Sequence, residues 1–202
     1  MSLEKLVAIL TFVVVGIAIT MEVTVGRSKM NGVGPIQYEL PESGAALQKA
    51  MVTAKPAAIQ ANTYFDFLFI AAYAVYFILA ALLFRGAPSL RWPTAILAAV
   101  AGVCDVLENK AILAASRIPL DQIGDAAAKS IRIPSTIKWL CIFATLALLA
   151  FKIGSVWLRW LVLACAATGF ITTALVIQPA ISIAMLLGFL GLVVFAVQIL
   201  RT

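Results

Sequence analysis

Histidine is missing altogether from this chain of 202 residues, and the three cysteines, Cys104, Cys141 and Cys165, stand singly with no CxxC pair. The first absence removes the commonest zinc ligand and the usual axial ligand of haem. The second leaves no disulfide framework, since scattered buried cysteines behave as small hydrophobes. No cofactor is therefore expected, and no haem or transition-metal site. Catalytic signatures are absent too: the chain has no GxSxG, no P-loop and no Rossmann glycine pattern. It also lacks the repeated-Asp signature of CDP-alcohol phosphotransferases and the His-bearing motifs of lipid phosphatases. Charge is scarce at 12% of residues, against about 25% in soluble domains, and from Leu161 to Leu200 there is none.

What is present is apolar length. Hydrophobic residues make up 63% of the chain and the mean hydropathy is +1.07. A helix needs about 20 apolar residues to cross a hydrocarbon core, and such runs cover residues 3–25, 64–84, 92–115, 133–152, 157–177 and 180–200. The chain thus reads as an all-α integral membrane protein, residues 1–202 forming a single bundle of about six transmembrane helices. The first run exceeds the apolar core of a signal peptide, about 7 to 15 residues, and ends in β-branched residues around Glu22. It is read as a retained helix.

The net charge of +6 would suggest nucleic acid in a soluble chain. Here the cations punctuate the ends of apolar runs, and no basic patch interleaved with aromatics exists, so no nucleic-acid partner is expected. Lys5, Arg85, Arg91, Lys152, Arg159 and Arg201 fall on one side in short connections, which places the N- and C-termini in the cytoplasm. The opposite side receives the one long extramembrane segment, residues 26–63. It holds the turns Asn31-Gly32-Val33-Gly34-Pro35 and Leu40-Pro41-Glu42-Ser43-Gly44, an N-cap at Ser43, and an interfacial helix carrying Leu47, Met51 and Val52 that Pro56 should end or kink. A segment of that length is either a lid or a connector lying on the headgroups. A second connection, residues 116–135, predicts a short surface helix between two turns, with Asp121 and Asp125 on its solvated face and a break at Pro134. Trp92, Trp139, Trp157 and Trp160 lie near run ends, as interfacial anchors do.

Against this background the third run is anomalous, because it holds Asp105, Glu108, Asn109 and Lys110. A charged side chain near a bilayer centre costs about 2.5 to 3.5 kcal/mol on insertion scales. Helical spacing puts Asp105, Glu108 and Asn109 on one face and turns Lys110 away. Alternating topology brings Glu22 at the end of the first run, Asp66 in the second and Lys138 in the fourth to the same level. Tyr73 shares the face of Asp66, and Lys138 is the natural cation for the acids. Such a group can be a polar knot that locks helices together, but its acids outnumber its amines, which points to protonation, a cation or a polar ligand.

Three function classes remain open. The first is a binding protein with an acidic pocket in one leaflet for an amphiphile or lipid headgroup. It would be formed by Glu22, Asp66, Tyr73, Asn109 and Lys138, with Asp105 and Glu108 as an acid/base pair if catalysis occurs; Asp66, Asp105 and Glu108 could instead offer hard oxygen ligands to Mg²⁺. The second is an accessory subunit docking on a membrane-protein partner through the charge-free last two helices, where Ala184 and Gly188, like Ala98 and Gly102 in the third run, form small-xxx-small pairs. The third is a small proton- or cation-coupled transporter, although no internal repeat supports it.

Overall fold

In the computed structural model the described residues are 1–84, 87–153 and 155–201, with the backbone alone at 179, 182, 185, 189, 195, 198, 199 and 201. Arg85 and the side chain of Arg201, both used in the sequence reading, lie outside them. Among the described residues the chain is 83% helical and has no strand. The helices are α1 (Leu3–Val25), α2 (Pro35–Glu39), α3 (Gly44–Ala54), α4 (Pro56–Ala81), α5 (Pro88–Ala115), α6 (Asp125–Ala150), α7 (Val156–Ala174) and α8 (Gln178–Arg201), with a 3-10 turn at Leu120–Gln122. Four of them, α1, α4, α6 and α7, are long and apolar enough to cross a membrane among the described residues, which is the make-up of a helical membrane protein.

The six long helices form a closed ring. α1 packs on α4, α4 on α5, α5 on α6, α6 on α7 and α7 on α8, and α8 closes back onto α1. One core runs through the ring and includes Tyr73, Tyr76, Phe77, Trp139 and Phe143. A second core sits at one end, where Met30, Tyr38, Leu47 and Met51 meet Ile59, Ile112 and Ile131 of α4, α5 and α6. That end is a built cap of α2, α3 and the 3-10 turn.

Local chemistry explains how the cap is made. Ser43 accepts a hydrogen bond from the Ala46 amide at 3.2 Å and starts α3. Pro56 excludes helical geometry at Lys55, so α3 stops, Lys55 turns the chain with φ 67°, and Pro56 opens α4 at its first position. α4 therefore begins eight residues before the run predicted at 64, and much of the 26–63 segment is helical. α3 does not merely offer an apolar face to headgroups: Leu47 and Met51 are fully buried against the protein, whereas Val52 is exposed.

The 116–135 connection also differs from expectation. Pro134 does not break the chain but lies inside α6, which starts at Asp125. The physical reason is an unbroken buried stripe, Ala128, Ile131, Ser135, Lys138 and Ile142, whose helical spacing crosses the proline. Packing on both sides outweighs the backbone hydrogen bond that proline forfeits. Asp121 and Asp125 do not share a helix face, since Asp121 belongs to the 3-10 turn. Asp125 accepts from the Gly44 amide at 2.6 Å and so caps α3. A side chain at Gly44 would collide with the Gly124 backbone, so the two helix starts approach closely only because residue 44 is glycine.

Candidate functional site

Asp105, Glu108 and Asn109 occupy the buried face of α5, as their spacing requires, and Lys110 is exposed on the other side. From α6 the buried stripe delivers Lys138, whose side chain is 4% exposed. Its Nζ donates to Asp105 Oδ1 at 3.1 Å and to Glu39 Oε2 at 3.0 Å, and lies 2.7 Å from Glu108 Oε2. One ammonium thus serves three carboxylates. If all three were ionised the four groups would carry a formal charge of −2, which a dry site cannot hold without protons or a further cation.

Hydrogen bonds tie the cluster to its surroundings. Tyr73 of α4 donates its hydroxyl to Asp105 Oδ2 at 2.7 Å, so the phenol serves the acid across the helix interface rather than Asp66 on its own face. Asp66 instead accepts from the Asn109 amide at 2.9 Å. Two helix-to-helix bonds of this kind, each worth about 0.6 to 2 kcal/mol in a membrane, pin α4 to α5. Glu22 stays outside the network: it is exposed at the end of α1 and accepts from the Arg27 amide at 3.1 Å.

Glu39 is the residue that the sequence reading missed. It sits in the 26–63 segment, where a carboxylate reads as solvated, yet α2 turns it inward to Lys138, and the indole Nε1 of Trp139 also donates to its Oε2 at 3.2 Å. Trp139 is accordingly buried and is no interfacial anchor, unlike Trp92, Trp157 and Trp160, which are exposed. The available signal was the apolar stretch around Ile36, Tyr38 and Leu40, enclosed by two turns. Neighbouring Tyr38 is buried and donates to Asn62 Oδ1 at 2.6 Å. Burial, reinforced by the Glu39 carboxylate, pushes its phenol well above the ordinary range, which keeps it a donor.

A cavity of about 570 Å³ opens beside the cluster inside the ring. Its polar end is formed by Glu39, Asp66, Asp105 and Lys138, with Glu22 and Asn62 also on the wall. Elsewhere the lining is apolar and comes from α1, α4, α6 and α8, including Phe69, Phe77, Ile142 and Leu190. Of the two acid/base candidates, Asp105 borders the cavity, whereas Glu108 is fully buried and not part of its lining. The trio Asp66, Asp105 and Glu108 is not arranged as a metal site: no three His, Cys, Asp or Glu side chains among the described residues are placed to hold an ion. No known protein family, curated protein or solved structure matches this chain.

Proposed function

We propose that this is a multi-pass membrane protein that binds an amphiphile inside its helix ring, with the polar head at the Lys138 cluster and the tail along the apolar wall. The observation that carries the reading is the cavity of about 570 Å³ with charge at one end and hydrocarbon-like walls, a size within the range of about 300 to 1,000 Å³ used for small ligands. All six long helices would span the bilayer. α5, with 28 residues, is about 42 Å long at 1.5 Å per residue, and its acids are turned inward rather than toward lipid. An even number of spans puts both termini on one side, and the cations near short connections favour the cytoplasm. The cap of α2 and α3 would then cover the outer mouth of the ring, consistent with its burial of Leu47 and Met51 in a core of its own.

The direct test is mass spectrometry of compounds that co-purify with the protein, run beside an Asp105→Asn/Glu108→Gln double variant and a Leu186→Trp variant that fills the cavity. The parent should retain an amphiphile that both variants lose. Identical bulk lipid in all three samples would overturn the proposal. If the lipid were identical and only the double variant melted far lower, the cluster would be structural glue.

A further inference from the structure

The hydrogen-bond inventory at the polar end of the cavity is one-sided. Lys138 carries three N–H donors; it hydrogen-bonds Glu39 and Asp105 and is ion-paired with Glu108 at 2.7 Å. The Trp139 indole is committed to Glu39, the Tyr73 hydroxyl to Asp105 and the Asn109 amide to Asp66. The cationic, hydroxyl and indole donors of this end thus all point at carboxylates of the cluster. Acceptors, by contrast, are left over. Glu108, walled off from the cavity, has neither oxygen in a hydrogen bond and is held to Lys138 by charge alone. Asp66, on the cavity wall and partly buried, has the Asn109 amide on Oδ2 but no ion pair among the described residues.

The wall beyond Asp66 has a matching character. α4 presents Asp66, Phe69, Tyr73 and Phe77 to the cavity along one face, with ring centroids 5.4 Å apart for Phe69 and Tyr73 and 6.0 Å for Tyr73 and Phe77. The face runs about 16 Å from Asp66 to Phe77 at 1.5 Å per residue. Aromatic faces attract cations and also pack against alkyl chains.

We infer that the head group taken by this cavity is a protonated amine seated on Asp66, its alkyl chain lying along the Phe69–Tyr73–Phe77 row. The inference rests on the amphiphile reading above and specifies its chemistry. A carboxylate or phosphate head would add negative charge to a site where the carboxylates already exceed the cation and the strong donors are spent. An alcohol would supply one donor and no charge. An ammonium supplies donors to the Asp66 carboxylate and offsets the excess negative charge, and charge-assisted hydrogen bonds to carboxylate are the strong kind.

Three probes with the same tail separate the possibilities: dodecylamine, dodecanol and dodecanoate, offered one at a time to the detergent-purified full chain, with one-to-one adducts counted by native mass spectrometry. The parent should bind the amine at least about tenfold more tightly than either competitor, a difference of about 1.4 kcal/mol. Asp66→Asn should remove that preference, lowering amine binding to the level of dodecanol. Equal binding of the three probes to the parent, or a preference for dodecanoate, would overturn the amine assignment and leave the amphiphile site standing, and neither result depends on any variant folding. If Asp66→Asn bound the amine as the parent does, the seat would be wrong and the inference with it. Adducts that persist undiminished in Leu186→Trp would place the probes outside the cavity and overturn both readings.

Discussion

The two halves of the ring are held together by different means. Between α4, α5 and α6 the contacts are electrostatic and directional, built on Lys138, Asp105, Glu108, Tyr73 and the Asn109–Asp66 bond. Between α6, α7 and α8 they are matters of shape. Gly169 lies against the Phe143 ring so closely that a side chain there would strike it, Gly191 does the same against Val162, and Gly188 sits over Leu146. No ion pair involves α7 or α8 among the described residues. Lipid tails are as apolar as leucine, so apolar surface alone gives helices no reason to leave lipid for one another. Close backbone approach through small residues is one answer and interhelical polar bonding is the other; the α6–α8 side relies on the first, whereas the α4–α6 side adds the second to a close approach of its own, Gly102 of α5 against Ala74 of α4. The cavity with charge in its wall takes that charge from the polar half and part of its apolar lining from α1 and α8.

The contrast can be broken most severely at its one shared cation. Lys138→Met leaves Glu39, Asp105 and Glu108 buried with no counter-charge, and removing one partner of a buried ion pair costs about 3 to 5 kcal/mol. The expected outcome is a chain that fails to accumulate or melts far below the parent in detergent, with Lys138→Arg recovering part of the loss. In the other half the largest effect should follow from steric conflict. Gly169→Leu forces the Phe143 ring aside at a cost of about 1 to 3 kcal/mol. Adding Phe143→Ala should restore part of the melting temperature, whereas that second change should not rescue Lys138→Met; a double-mutant cycle reads the coupling.

Smaller effects sharpen the same comparison. Tyr73→Phe deletes the donor to Asp105 without altering packing volume and should cost about 1 to 2 kcal/mol, read as a lowered melting temperature. An equal loss from an apolar change of similar size on α7, such as Val162→Ala, would show that packing and not the hydrogen bond was responsible. The mildest expected effect is on the cap. Because burial raises the Tyr38 phenol above its ordinary value of 10.0, the folded state holds that proton more tightly than the unfolded chain does. Its contribution is complete below about pH 10 and declines as pH rises above it. Melting temperature should fall more steeply with pH in the parent than in Tyr38→Phe between about pH 9 and 11. Parallel slopes would show that Tyr38 does not carry the alkaline sensitivity.

Much of this arrangement could be read from residue order. Each of the six long helices falls on one of the six apolar runs, because uninterrupted apolar length has few other uses. The grouping of Asp105, Glu108 and Asn109 follows from 3.6-residue periodicity alone, and Lys138 is the cation they meet because it stands on the neighbouring helix. Glu39 was legible only in part: an apolar stretch surrounds it, but a lone carboxylate outside the long runs does not show which way it points, and only the fold of α2 over the ring turns it inward. The same is true of Trp139, whose place near a run end resembles an anchor until Glu39 arrives to accept its proton. Pro134 misled because proline punctuation is local, whereas the buried stripe that carries α6 through it depends on neighbours distant in sequence.

By itself, then, the sequence determined that this chain is helical and apolar enough for a membrane, where its six long helices lie apart from the early starts of α4 and α6, and which face of α5 carries the acids. All of these depend on spacing along one chain. Which acid meets which donor, that the 26–63 segment folds back as a cap, and that a cavity remains beside the cluster were decided by the tertiary structure. Hydrogen bonds and ion pairs act over about 3 Å, and no periodicity in the sequence specifies side-chain positions in space to that distance.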